Sequence, residues 1–332
     1  MLSNKVLLAS GGITDTKFLS SGDVLLGPNG IFSTVISVET PMVDVFKIST
    51  KSGPSFYVCK DNIISNTENN DSRYCEVSNF CDRGDSYLKK YKIKLTRANF
   101  AEFENDYALP IDPYIFGIIL TSSTSSNGGF RFSAPKDSYM REIIKTNLLP
   151  NLGMKICRDM GDTIPNSNSF YVANLLNEKY PKREPNRLIK ILKELHLNDV
   201  KVVDRYIPDC YKYAGIEERK KLLAAIIDCS AYGDRFGFQI TCTSIKFAQD
   251  IEFIARSLGL TSNHRESVKN GKTYQIVHMS GDMHFLPLHH KNKNVGQDRR
   301  FKPFTIEALG KQQFIKINTS DEYLLQDFTI IK

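Results

Sequence analysis

Two stretches of this chain carry the same unusual pattern, and that internal repeat limits the possible folds more than any single motif does. One copy runs Asp112-Pro113-Tyr114-Ile115-Phe116-Gly117-Ile118-Ile119-Leu120-Thr121-Ser122-Ser123 and then Gly128-Gly129-Phe130-Arg131-Phe132-Ser133. The other runs from Glu217 through Leu222-Leu223-Ala224-Ala225-Ile226-Ile227-Asp228-Cys229-Ser230-Ala231 into Asp234-Arg235-Phe236-Gly237-Phe238-Gln239-Ile240-Thr241. Each copy reads as an almost wholly apolar helix leading into an alternating Phe-x-Phe strand. An amphipathic helix follows, over about 136–149 and 244–258. Gly inside an apolar helix costs about 1 kcal/mol of propensity and fills no space. Small residues there make sense where two backbones approach closely. The repeat therefore predicts a pseudo-two-fold domain in which the helices cross at Gly117 and at Ala224 and Ala225. Their C-terminal ends, 121–123 and 229–231, then come to one edge.

The two ends of the chain have a different texture. Residues 1 to about 65 read as short strands over 6–9, 23–26, 34–38, 43–49 and 55–59, broken by Gly11-Gly12, Pro28-Asn29-Gly30 and Ser52-Gly53-Pro54. From 66 to 86 the chain is polar and reads as a loop or linker, and the last 30 residues return to strands over 314–317 and 328–331. The expected class is α+β: a β-rich unit made from both chain ends, with an αββαββα unit inserted. The 332 residues allow about two or three domains. No apolar run approaches the roughly 20 residues needed to span a bilayer, and the segment after Lys5 is too short for a signal peptide. Seven cysteines without a Cys-x-x-Cys pair argue for reduced thiols rather than a disulfide framework or a zinc ribbon. An intracellular protein, cytoplasmic or nuclear and without a membrane partner, is expected. The net charge of +7 is compatible with an anionic partner.

The repeated segments resemble the paired motifs of the LAGLIDADG homing endonucleases. Phe116-Gly117-Ile118-Ile119-Leu120-Thr121-Ser122-Ser123 sits on that pattern, and Leu223-Ala224-Ala225-Ile226-Ile227-Asp228-Cys229-Ser230-Ala231 matches its apolar and small positions better. Leu109-Pro110-Ile111-Asp112 before the first copy, and Ile207-Pro208 with Glu218-Arg219 around the second, are similar surroundings. The ends resemble the Hint fold of inteins, self-splicing elements that often carry such an endonuclease. Residues 1–12 look like an opening strand, Ser21-Gly22-Asp23-Val24-Leu25-Leu26-Gly27 like the Gly-Asp turn region, and 323–331 like closing strands. The resemblance implies a Hint-like part at 1–95, an endonuclease-like domain at 96–290 and a second Hint-like part at 291–332.

The chain departs from these families where they do chemistry. In the endonucleases an acidic residue at the foot of each repeated helix holds divalent metal; here those positions align with Ser122 and Ser230. A hydroxyl lacks the charge and hard anionic oxygen that hold Mg²⁺, and it cannot support a metal-bound hydroxide. Asp228 keeps a carboxylate, but ~200° around the helix from Ser230, and reads as an interface or capping residue. Splicing needs a nucleophilic first residue, a strand histidine and a terminal Asn; here Met1, Asn62 and Lys332 occupy those places. No cofactor is expected, with Mg²⁺ required only for any endonuclease activity that survives.

Double-stranded DNA is the partner that the resemblance implies. On the strands after the helices, outward residues of such proteins read bases, which nominates Arg131, Arg235 and Gln239: Arg pairs bidentately with guanine and Gln with adenine. The segment 291–302 holds five Lys or Arg against one Asp and adds Lys291, Lys293, Arg299 and Arg300 as phosphate contacts. His278, His284, His289 and His290 have no helical i, i+4 pair and read as ordinary residues rather than metal ligands. Because both repeats lie in one chain, a monomer is expected. The leading expectation is an intein-derived DNA-binding protein with endonuclease and splicing activity impaired or lost. An active metal-dependent endonuclease and a non-catalytic DNA-binding regulator on the same scaffold are the alternatives.

Overall fold

In the computed structural model the first repeated segment is helical over Pro113–Ser122, and Asp112 sets its start. The Asp112 carboxylate accepts from the N–H groups of Tyr114 at 2.9 Å and Ile115 at 3.3 Å, and Pro113 occupies the first turn, where no N–H is needed. The second segment is helical over Ile216–Ser230. Every residue from Leu222 to Ile227 is fully buried, as are Phe116 and Ile118 on the first helix. The two helices touch at their small residues: a Cβ placed on Gly117 would stand 2.6 Å from that of Ala225 and 3.0 Å from the Leu222 carbonyl oxygen. Their N-terminal ends line one cavity of about 320 Å³, with Asp112 and Pro113 on one side and Gly215 and Glu218 on the other. Both helices therefore run in the same direction. The structure describes residues 1–51, 53–68, 71–126, 129–164, 167–174, 187–234, 237–289 and 301–332.

Each helix runs directly into a hairpin, Ser123–Ser126 with Gly129–Ser133 in the first copy and Ala231–Asp234 with Gly237–Cys242 in the second. A serine then caps the next helix. Ser138 Oγ accepts from Arg141 N–H at 3.3 Å to start Tyr139–Ile143, and Ser244 Oγ accepts from Phe247 N–H at 3.1 Å to start Ile245–Ser257. Two further strands complete each sheet, Met154–Asp159 and Ser169–Asn174 in one, Thr261–Lys269 and Lys272–Ser280 in the other. The spatial order is the same in both: first, second, fourth, third. Phe130, Phe132, Phe170 and Val172 on one sheet, and Phe238, Ile240, Val277 and Met279 on the other, pack into a single hydrophobic cluster drawn from Ile111 to Leu286.

Three other sheets combine strands from the two ends of the chain. Phe304–Gln313 pairs with Met42–Thr50, Lys316–Thr319 pairs with Phe32–Glu39, and Ile331 lies opposite Ile64. The polar stretch 66–86 is not a linker. Ile63–Glu68 and Asp71–Glu76 form a hairpin, and Gly84–Lys90 is a helix. Asn66 and Thr67 are buried because their strand lies between two neighbours, so backbone pairing on both sides, not side-chain polarity, determines their place. A small aromatic cluster joins the two regions: Phe253 stacks on Phe103 at 5.9 Å and lies 5.5 Å from Tyr213 and 5.4 Å from Phe328. Beside it the fully buried Arg219 donates to the carbonyls of Ala214, at 2.8 Å, and of Ala101. Burial lowers its pKa to about 9.

Candidate nucleic-acid interface

The sheet register places residues of the two copies in matching positions. Two residues beyond the end of the first helix, Thr124 begins a row across the strands: Thr124, Arg131, Tyr171, Arg158. Two residues beyond the end of the second helix, Tyr232 begins the corresponding row: Tyr232, Gln239, His278, Asn263. Strand alternation turns these rows away from the buried phenylalanines. Arg131, Arg158 and Tyr232 are exposed, and Thr124, Tyr171, Gln239, His278 and Asn263 are half-buried. Arg131 and Gln239 thus occupy equivalent positions on the outer faces of the two sheets. The sequence did not single out Tyr171, Arg158, Tyr232 or Asn263, nor His278 as part of a surface row. The Phe-x-Phe alternation marked only the second strand of each sheet. Arg235, Lys291, Lys293, Arg299 and Arg300 lie outside the described residues.

Ser122 and Ser230 each lie five residues beyond the contact of Gly117 with Ala225, or about 7.5 Å along their helices. Ser122 is half-buried and Ser230 exposed. The hydroxyls at these ends turn back on the helices: Ser230 Oγ donates to the Ile226 carbonyl at 2.7 Å, Ser123 Oγ to that of Ile119 at 2.5 Å, and Thr121 Oγ1 to that of Gly117 at 2.8 Å. Asp228 is 3% exposed and faces the other helix. Its Oδ2 accepts from the Tyr114 hydroxyl at 2.8 Å and from the His289 N–H at 2.9 Å. The His289 ring stands edge-on to Tyr114, with centroids 5.0 Å apart. Burial and this carboxylate together push the Tyr114 phenol pKa strongly upward.

These donors do not fit a divalent cation. Two neutral hydroxyls stand at the helix ends, and the Asp228 carboxylate is turned into the helix interface. Among the described residues no group of three or more His, Cys, Asp or Glu side chains is placed to hold a metal.

The positions nominated by the resemblance to inteins are Met1, Asn62 and Lys332. Met1 is exposed, and the next residue, Leu2, packs against the buried cluster of Val45, Cys59 and Phe314. Asn62 Oδ1 accepts from the Cys59 N–H at 2.9 Å and from its thiol at 3.2 Å. Lys332 exchanges backbone hydrogen bonds with Ile63, at 2.8 and 3.1 Å. Burial, followed by Asp61, pushes the Cys59 pKa up to about 12, so the thiol is held protonated and unreactive.

No protein-family profile matches the chain, and no curated protein matches it significantly. Among solved structures it is similar to a variant of I-DmoI in complex with its target DNA and Mg, at 10% identity and a TM-score of 0.32, over 51% of this chain and 88% of that one. It is also similar to I-DmoI in complex with DNA and Mn, at 11% identity and a TM-score of 0.33, with the same coverage. A third similarity is to mesophilic variants of the homing endonuclease I-DmoI, at 12% identity and a TM-score of 0.33, over 51% of this chain and 87% of that one. No helix among the described residues is long and apolar enough to cross a membrane.

Proposed function

We propose that the chain binds double-stranded DNA on the outer faces of its two four-stranded sheets and does not cut it. The carrying observation is the register equivalence of the two rows, Thr124-Arg131-Tyr171-Arg158 and Tyr232-Gln239-His278-Asn263, each starting two residues beyond the end of a core helix. A pseudo-two-fold axis between the helices relates the rows and would present them to successive stretches of one groove. Their chemistry suits base edges: Arg131 and Arg158 match the acceptors of guanine, and Gln239 and Asn263 match the donor and acceptor of adenine. In this reading residues 96–290 form a LAGLIDADG-type domain acting as a monomer, and 1–95 with 291–332 form a Hint-like module. The serines at 122 and 230 replace the catalytic acids. The engagement of Asp228 with Tyr114 and His289 removes the remaining carboxylate candidate for an active enzyme. Within the Hint-like module Asn62 stands where the resemblance places a histidine, and its partner Cys59 is held protonated.

Equilibrium binding to a library of random duplexes in EDTA, followed by repeated selection, tests the reading. The expected result is enrichment of one site of about 20 base pairs without cleavage, with affinity that falls steeply as salt rises. Failure to retain any duplex, or retention unaffected by Arg131→Ala and Gln239→Ala together, would sink it.

A further inference from the structure

A cavity of about 540 Å³ opens beside the sheets built from the two chain ends, and no residue of either surface row lines it. Its floor is apolar: Leu88, Ile93 and Phe304 line it, and all three are buried in one hydrophobic cluster. Each is held by its backbone. The helix Gly84–Lys90 is stopped by Lys92, whose φ of 50° is left-handed, and the Ile93 N–H returns to the Leu88 carbonyl at 2.9 Å. Phe304 pairs with Thr50 across the sheet, and its ring stands edge-on to Phe80 with centroids 5.8 Å apart. The charged lining is of one sign. Lys51, Lys89, Lys92 and Lys94 line the same cavity, the first three exposed and the last half-buried. Among the described residues no acidic side chain lines it, and no ion pair engages any of the four lysines.

We propose that this cavity binds a small organic anion with an apolar body, of which a fatty-acid carboxylate is the simplest example. The hydrocarbon lies on Leu88, Ile93 and Phe304, and the acid group sits among the lysines. The volume falls within the roughly 300–1,000 Å³ of small-molecule sites, which likewise combine an apolar lining with a few polar groups that fix orientation. Four lysines gathered without a counter-charge repel one another, and an acid group among them relieves that repulsion. Other anionic partners match the cavity less well. A DNA backbone pairs with lysines but brings no apolar group to the floor. A bilayer surface takes apolar side chains that protrude, whereas these three are buried and the charged ones are exposed. The site is independent of the reading of the two rows as a DNA surface.

Titration of the full chain with decanoate, 1-decanol and decyltrimethylammonium tests this, read by the methyl NMR resonances of Leu88 and Ile93. The expected result is saturable binding of decanoate that shifts both residues and is at least about tenfold tighter than that of decanol, the gain that two or three exposed ion pairs supply together. Raising the salt concentration should weaken decanoate and leave decanol unchanged. Lys51→Glu/Lys89→Glu should reverse the preference, so that the decyltrimethylammonium cation binds and decanoate does not. Lys89→Gln is the milder variant if the reversed pair fails to fold, and it should weaken decanoate without changing decanol. Equal affinity for decanoate and decanol would overturn the proposal, leaving the lysine stems as a cover over the floor. So would shifts confined to other residues, or retention of a duplex or an acidic peptide through the same lysines while decanoate is not bound. None of these variants touches Arg131 or Gln239, so failure here is distinct from a failure of the DNA-binding reading.

Discussion

The Tyr114 hydroxyl donates to the Asp228 carboxylate at 2.8 Å, joining the first turn of one core helix to the last turn of the other. The same carboxylate oxygen takes the His289 N–H at 2.9 Å, so one buried acid ties together three separate parts of the chain. Tyr114→Phe should cost about 1–3 kcal/mol, the range for leaving a buried hydrogen-bonding group without its partner. Asp228→Ala should cost more, because it leaves both the phenol and an amide without their acceptor. Urea denaturation of both single variants and the double variant checks this, and additive losses would show that the pair is not coupled.

The helix crossing leaves no room for a methyl group. Gly117→Ala gains about 1 kcal/mol of helix propensity but must push the Ala225 side chain or the Leu222 carbonyl aside. A net loss of about 1–3 kcal/mol is expected, as for other overpacked cores. Ala225→Gly in the same chain should recover part of it. A stabilised Gly117→Ala protein, measured by thermal melting, would mean that the helices separate freely at this point.

At the proposed DNA surface, Arg131→Ala should weaken binding by about 1–3 kcal/mol and relax selection at one base position in one half of the site. Gln239→Ala should act on the other half. Selected sequences from each variant, compared with those of the parent, test whether the two rows read separate stretches. Relaxation at the same position by both substitutions would contradict their placement on different sheets.

Lys302 is 6% exposed, and burial together with Arg97 lowers its pKa to about 7, opposed by Asp327 and Glu252 and reinforced by Arg256. Unfolded, it titrates near the ordinary value of about 10.4. Between those two values the unfolded chain binds more protons, so this group makes stability rise with pH above about 7. The slope it can contribute is at most about 1.4 kcal/mol per pH unit. Lys302→Met should flatten stability against pH over that window and stabilise most at its acidic end. An unchanged slope in guanidinium titrations would show that the lysine is solvated.

The core helices were legible because a glycine or an alanine pair inside an unbroken apolar run has few explanations other than close contact. Arg131 and Gln239 were legible because they alternate with phenylalanines. The other members of the rows were not, since Arg158 and Tyr171 join Arg131 only through cross-strand register. Asn66 and Thr67 looked like loop residues because composition does not reveal a strand paired on both sides.

The interleaving of strands from the two chain ends also sets an order of events during translation. Met42–Thr50 leaves the ribosome long before its partner Phe304–Gln313, and at ~5–20 residues per second the wait is roughly 12–50 s. The residues of the hydrophobic cluster from Ile111 to Leu286 are all made within that interval, so the cluster can close before Phe304 arrives. The nascent chain then carries a finished α/β body and an open sheet edge together. A chain halted before residue 304 would hold that edge unpaired, open to any strand that can add to it.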